Sequence, residues 1–303
     1  MKHNVNTKTD RRGFINAAAI GTTATLSTGA LASDAQEERS LKEVRRYSIA
    51  ADSPRRIATD SKDSWWILAG DSIEHRDQDG ALRLRVSLER PGRALAVTDT
   101  GVFVAVRNQI AEFSRTGELQ RRFARIPEGL IGDIVVDGDR LIVTDLASGR
   151  LMRTSRIGWE AFGDPIRQSA RISHGVTGDL LIADPERHQV KLISLDGSEQ
   201  RVWGKRSRDS HGFQGCCNPM ALAETVNGGV ATVEAGQVRI KTFSKDGDFL
   251  SEVAGPSTIS EIATTPTEDR SLACAAGGVD VATNSSGELY FLHCAAKQVI
   301  YFA

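Results

Sequence analysis

The chain has 303 residues, 40% of them hydrophobic and 25% charged, with a formal net charge of -1. This is the composition of a folded globular protein. No basic excess points to nucleic acid, and no acidic run points to a solvating tail.

Residues 1–32 read as a targeting segment. Lys2, Lys8, Arg11 and Arg12 give it a positive start, and Ala17 to Ala32 carries no charge. Ala30-Leu31-Ala32 has the small-x-small form of a signal cleavage site. A membrane span needs about 20 strongly apolar residues. This stretch is shorter and is interrupted by threonines, so a cleaved signal is expected, with no membrane span after cleavage. Arg11-Arg12-Gly13-Phe14-Ile15 resembles the twin-arginine export motif. The resemblance implies a periplasmic or extracellular protein. Cleavage after Ala32 removes four basic residues and one acidic residue, turning -1 into -4. The destination is oxidising, so cysteines can pair there.

Residues 33–43 are polar and charged, a flexible leader. Residues 44–303 read as an all-β, six-bladed β-propeller of four-stranded antiparallel blades. The clearest unit is Gly178 to Gly204: an apolar strand, a polar loop, an alternating strand, an Asp196-Gly197 hairpin turn and a closing strand. That is three-quarters of a blade, with its first strand around Arg171 to His174. Aligned first strands recur at Ile57, Leu95, Ile134, Ile172, Leu222 and Val281, at intervals of 38, 39, 38, 50 and 59 residues. A blade takes about 40 residues. The last blade lacks a fourth strand, and Val44 to Ile49 is expected to supply it, closing the ring.

The longer intervals hold insertions, from Lys205 to Cys217 and from Pro256 to Gly278. Both connect one blade to the next. They fall on the face that also carries the loops between second and third strands. Loops on a rigid scaffold commonly carry function, so this elaborated face, around blades 4 to 6, is the expected binding face. It gathers Asp184, His188, His211, Cys216, Cys217, Asn218, Glu234, Cys274, His293 and Cys294. An even cysteine count in an exported chain favours disulfides, with Cys274 joined to Cys216 or Cys217. The competing reading is a metal or redox site drawn from His188, His211, His293, Cys216, Cys217 and Cys274. The spacing fits no zinc ribbon and contains no CxxC, so disulfides are preferred. Trp65-Trp66 is expected to place one ring on each side of its sheet.

The Gly178 to Gly204 unit resembles an NHL-type repeat, through the strand before Asp184, Val190-Lys191, Asp196-Gly197 and Gly204. Gly215-Cys216-Cys217-Asn218-Pro219 and the segment after it are similar to a group of bacterial exported NHL-type propellers. The resemblance implies the propeller fold and no particular activity. NHL-type propellers include a zinc-dependent lyase whose histidines sit at the propeller centre. Here His75, His174, His188, His211 and His293 do not fall at three equivalent central positions. The reading is therefore an exported binding or interaction protein with a protein or small-molecule partner. The alternative is a metal- or cofactor-dependent enzyme or redox protein with a Cys/His site at the channel mouth. The sequence identifies no cofactor.

Overall fold

The computed structural model describes residues 40–167, 170–175, 178–259 and 278–303. The expected signal, residues 33–39 of the expected leader, most of the second insertion and Cys274 lie outside them. The described chain forms six four-stranded antiparallel sheets, each a blade. Their innermost strands are Pro54–Thr59, Ala94–Val97, Ile131–Asp137, Arg171–His174, Ala221–Glu224 and Val279–Thr283. In blades 1 to 5 the four strands follow one another in sequence. In blade 6 the order is Glu43–Ser48, Gln298–Phe302, Leu289–His293, Val279–Thr283. Glu43–Ser48 pairs antiparallel with Gln298–Phe302, with Tyr47 opposite Val299 and Ser48 opposite Gln298.

Burial follows radius. The second strands Trp65–Ala69, Leu180–Asp184 and Val230–Glu234 are buried throughout, because each of their faces meets a neighbouring blade. This is why their apolar residues fall on both faces of the sheet instead of alternating. The outer strand Leu119–Arg122 is exposed throughout. The hydrophobic core is accordingly a set of layers between blades. Trp65 packs with Tyr290, Leu292 and Val299 of blade 6. Its neighbour Trp66 points the other way and packs with Leu95, Val102 and Val104 of blade 2.

The hairpin turns hold these layers in register. At Asp196-Gly197 the Ser194 amide donates to the Ser198 carbonyl at 2.9 Å, and Gly197 has φ +96°. A Cβ at Gly197 would lie 2.5 Å from the Cα of Gly163, so both the conformation and the close approach require glycine.

Candidate functional site

The innermost strand of every blade is an open edge. Its outward N–H and C=O groups face the propeller axis with no further strand to pair them, and buried backbone groups of this kind need partners. Two aspartates supply partners at one end of the channel. Asp280 Oδ2 of blade 6 accepts the Ile57 amide of blade 1 at 3.0 Å. Asp133 Oδ2 of blade 3 accepts the Ile172 amide of blade 4 at 3.1 Å. The two contacts are equivalent, half a ring apart.

Two arginines balance the aspartates. Arg171 donates through Nε to Asp133 Oδ2 at 3.0 Å and through Nη2 to Asp280 Oδ1 at 2.6 Å, joining blades 3, 4 and 6. Arg56 donates to the Gly132 carbonyl at 3.2 Å, and its Nε lies 4.0 Å from Asp133 Oδ1. All four side chains are buried, at 4 to 7% exposure. Burial works against the charge on Arg171, but Asp280 and Asp133 outweigh it and raise its pKa. Arg56 is less well compensated. Burial, helped by the nearby Arg171 charge, pulls its pKa down to about 10.

This floor is written in the repeats. The residue just before each aligned first-strand position is, in blade order, Arg56, Ala94, Asp133, Arg171, Ala221 and Asp280. The order Arg-Ala-Asp occurs twice around the ring. Like charges therefore sit diametrically opposite, opposite charges sit in adjacent blades, and the two alanines bring no bulk to the axis.

Above this floor lies a cavity of about 410 Å³ lined by all six innermost strands. Its floor is buried, while Thr59, Thr98, Glu224 and Thr283 are half-buried and His174 is exposed. The cavity therefore opens toward the face that carries the hairpin turns between first and second strands. At this level side chains again serve the open edges. Thr283 Oγ1 donates to the Glu224 carbonyl at 2.5 Å, and Thr59 Oγ1 donates to the Thr283 carbonyl. His174 Nε2 lies 2.7 Å from the Val136 carbonyl. Glu224 lines the cavity, and its Oε1 is buried with no hydrogen-bond partner among the described residues. Burial raises its pKa to about 7.

The residues of the elaborated face occupy the other end of the molecule, and most of them hold its loops. Asn218 accepts the Ala235 amide at 2.8 Å and donates to the Gln214 carbonyl at 2.5 Å. Glu234 accepts the Gln214 amide at 2.6 Å and pairs with the buried Lys241 at 2.7 Å. Lys241 in turn donates to the Gly212 carbonyl at 2.6 Å. His188 Nε2 lies 3.1 Å from the Gly215 carbonyl. The first insertion is thus clamped from blades 4 and 5. Asp184 accepts the Arg187 amide within its own loop at 3.2 Å. His293 Nδ1 accepts the Ala296 amide at 3.0 Å, and burial lowers its pKa.

His211 is exposed and rests near the Phe249 ring, 5.7 Å between centroids. Cys216 is exposed and Cys217 half-buried. Cys294 sits behind the channel floor. Burial and then Asp280 push its thiol up to about 12, which keeps it protonated and makes it a poor nucleophile or metal ligand. Among the described residues there is no disulfide, and no group of three or more His, Cys, Asp or Glu is placed to hold a metal ion.

The cavity and the elaborated face are therefore at opposite ends. Glu224 and His174, at its mouth, stand two residues after the aligned positions Leu222 and Ile172. The signal for them was a carboxylate and an imidazole at one repeat position where other blades carry threonine or valine.

No family model matches the chain, and no curated protein matches it. Solved structures do. Virginiamycin B lyase from Staphylococcus aureus matches with TM-score 0.58 at 14% identity, covering 86% of this chain and 98% of that one. A protein of unknown function from Bacteroides thetaiotaomicron matches with TM-score 0.61 at 14% identity, covering 87% and 72%. A calcium-binding protein, regucalcin, from Agrobacterium tumefaciens matches with TM-score 0.59 at 12% identity, covering 86% and 93%. At these identities the likeness is one of fold, a six-bladed propeller whose distant neighbours include enzymes.

Proposed function

We propose that this chain is an exported binding protein that seats a small polar molecule in its central cavity. The observation that carries the reading is the cavity itself. Six strands line it, a neutral charged floor seals it at one end, and it opens at the other. Its volume of about 410 Å³ falls in the range of small-ligand pockets. Carboxylate, imidazole and hydroxyl groups converge at its mouth. Glu224, with its proton affinity raised to about 7, is also suited to acid–base work. An enzyme acting at this same cavity is the alternative.

Native mass spectrometry of protein recovered from the exported fraction tests the proposal. A small molecule released on denaturation is expected from the wild type and not from Ser173→Trp, which fills the cavity wall. An equal yield from both would contradict the seat. Recovery of a converted product after incubation with that molecule would favour the enzyme. Export is tested separately by replacing Arg11 and Arg12 with lysine, which is expected to leave the precursor in the cytoplasm.

A second reading rests on the clamped first insertion. Asn218, Glu234, Lys241 and His188 make it a rigid platform, with His211 and Cys216 on its surface. A protein partner docking there is lost on alanine substitution of His211 and leaves the cavity untouched.

A further inference from the structure

Two ionisable groups in the cavity, Arg56 and Glu224, stand without an adequate partner of opposite charge. At the floor, Arg171 bonds both aspartates directly, whereas Arg56 makes only the 4.0 Å approach to Asp133. Arg56 is 4% exposed, and its Nε has no hydrogen-bond partner among the described residues. The floor carboxylates are already engaged. Asp133 accepts from Arg171, Ile172 and Ile134, and Asp280 accepts from Arg171 and Ile57. The hydrogen-bonding capacity left at the floor is therefore that of a cationic donor. Toward the mouth the sign reverses. Glu224 lines the same cavity with a buried Oε1 that meets neither a donor nor a cationic side chain among the described residues. A buried polar atom left in this state costs stability until a ligand or water satisfies it.

The two levels are separated along the axis. Arg56 stands one residue before its aligned strand position and Glu224 two residues after its own. Three residues of strand rise place the two levels about 10 Å apart. A molecule satisfying both must be negative at its inner end, positive at its outer end and extended between them.

Resting on the cavity reading above, we infer that the ligand class is a small extended zwitterion, whose carboxylate meets Arg56 and whose ammonium meets Glu224. The wall between the two levels suits a short apolar spacer, since Ala58, Ala96, Ala282 and Val281 line it. Carboxylate recognition by a guanidinium N–H is among the stronger hydrogen bonds. Pairing the ammonium with Glu224 returns that group to its ionised form. The known pairings around it do not compete, because His174 is turned to the Val136 carbonyl and Thr283 to the Glu224 main chain.

The test is calorimetric titration of the full mature protein with three probes of one length: epsilon-aminocaproate, caproate and hexylamine. The zwitterion is expected to bind at least about tenfold more tightly than either singly charged probe, a difference of about 1.4 kcal/mol. Glu224→Gln should reduce it to the level of caproate. Arg56→Gln should reduce it to the level of hexylamine. Ser173→Trp should abolish binding of all three. Thermal unfolding of each variant confirms that it is folded. Equal binding of all three probes, stronger binding of caproate or hexylamine, or no binding at all overturns the zwitterion assignment. If probes bind equally and Ser173→Trp still abolishes them, the cavity remains the seat and only the ligand class is wrong. If binding survives Ser173→Trp, the cavity reading fails as well. Should Arg56→Gln not fold, Glu224→Gln decides alone, since it lies at the open end and bonds nothing through Oε1.

Discussion

Arg171 Nη2 donates to Asp280 Oδ1 at 2.6 Å from blade 4 to blade 6, passing the blade between them. With the 3.0 Å bond from its Nε to Asp133, one guanidinium ties three blades together at the axis. Removing one partner of a buried ion pair leaves a charge uncompensated, which costs about 3 to 5 kcal/mol.

Arg171→Met is therefore expected to lower stability by about 3 to 5 kcal/mol in urea denaturation. Arg56→Met should cost clearly less, because Arg56 makes no direct bond to either aspartate among its described contacts. Equal losses would show that the floor is held by total charge and not by the Arg171 bridge.

Glu224 gives a pH signature. Its carboxyl has an ordinary value of 4.5, raised by burial to about 7 in the folded state. In that window the folded protein binds more protons at this site than the unfolded chain does, so stability falls as pH rises from about 4.5 to about 7 and then levels off. Glu224→Gln removes the penalty. The variant should match the wild type near pH 4.5 and exceed it above pH 7 by about 1 kcal/mol, after discounting for the solvent that reaches this half-buried group. A variant that gains nothing at high pH would mean that Glu224 ionises normally.

The Glu234–Lys241 pair, 2.7 Å apart and about 1% exposed on each side chain, anchors the first insertion. Lys241→Met leaves a buried carboxylate and releases the Gly212 carbonyl. Cleavage by a protease within the Lys205 to Cys217 insertion should accelerate by about tenfold or more, while the blades stay intact. An unchanged cleavage rate would assign the clamp to Asn218 and His188.

Much of the fold was legible in the sequence. Asp-Gly turns such as Asp196-Gly197 punctuate the blades, and the apolar first-strand residues recur at blade spacing. The channel floor was not legible from those features. Arg56, Asp133, Arg171 and Asp280 sit one residue before the apolar positions that define the repeats, and charged residues at a strand start ordinarily face water. Only closure of the ring brings the two Arg-Ala-Asp runs face to face, with Arg171 bonding both aspartates. The elaborated face was legible as a place, but not in the use of its side chains. His188, Asn218 and Glu234 have the chemistry of a site, and their hydrogen bonds go to the loop they hold. Glu224 and His174 were hidden for a different reason. They end their strands beside hairpin turns, where polar residues need no special explanation.

We propose that ligand binding happens in the cavity on the hairpin-turn face. It is tested most directly by thermal unfolding of three proteins: wild type, Ser173→Trp and His211→Ala. Each is unfolded with and without a low-molecular-mass extract of the cells that make the protein. The extract is expected to raise the Tm of wild type and His211→Ala alike and to leave Ser173→Trp unmoved. A rise in Ser173→Trp equal to that of the wild type, with none in His211→Ala, would contradict it and move the site to the elaborated face.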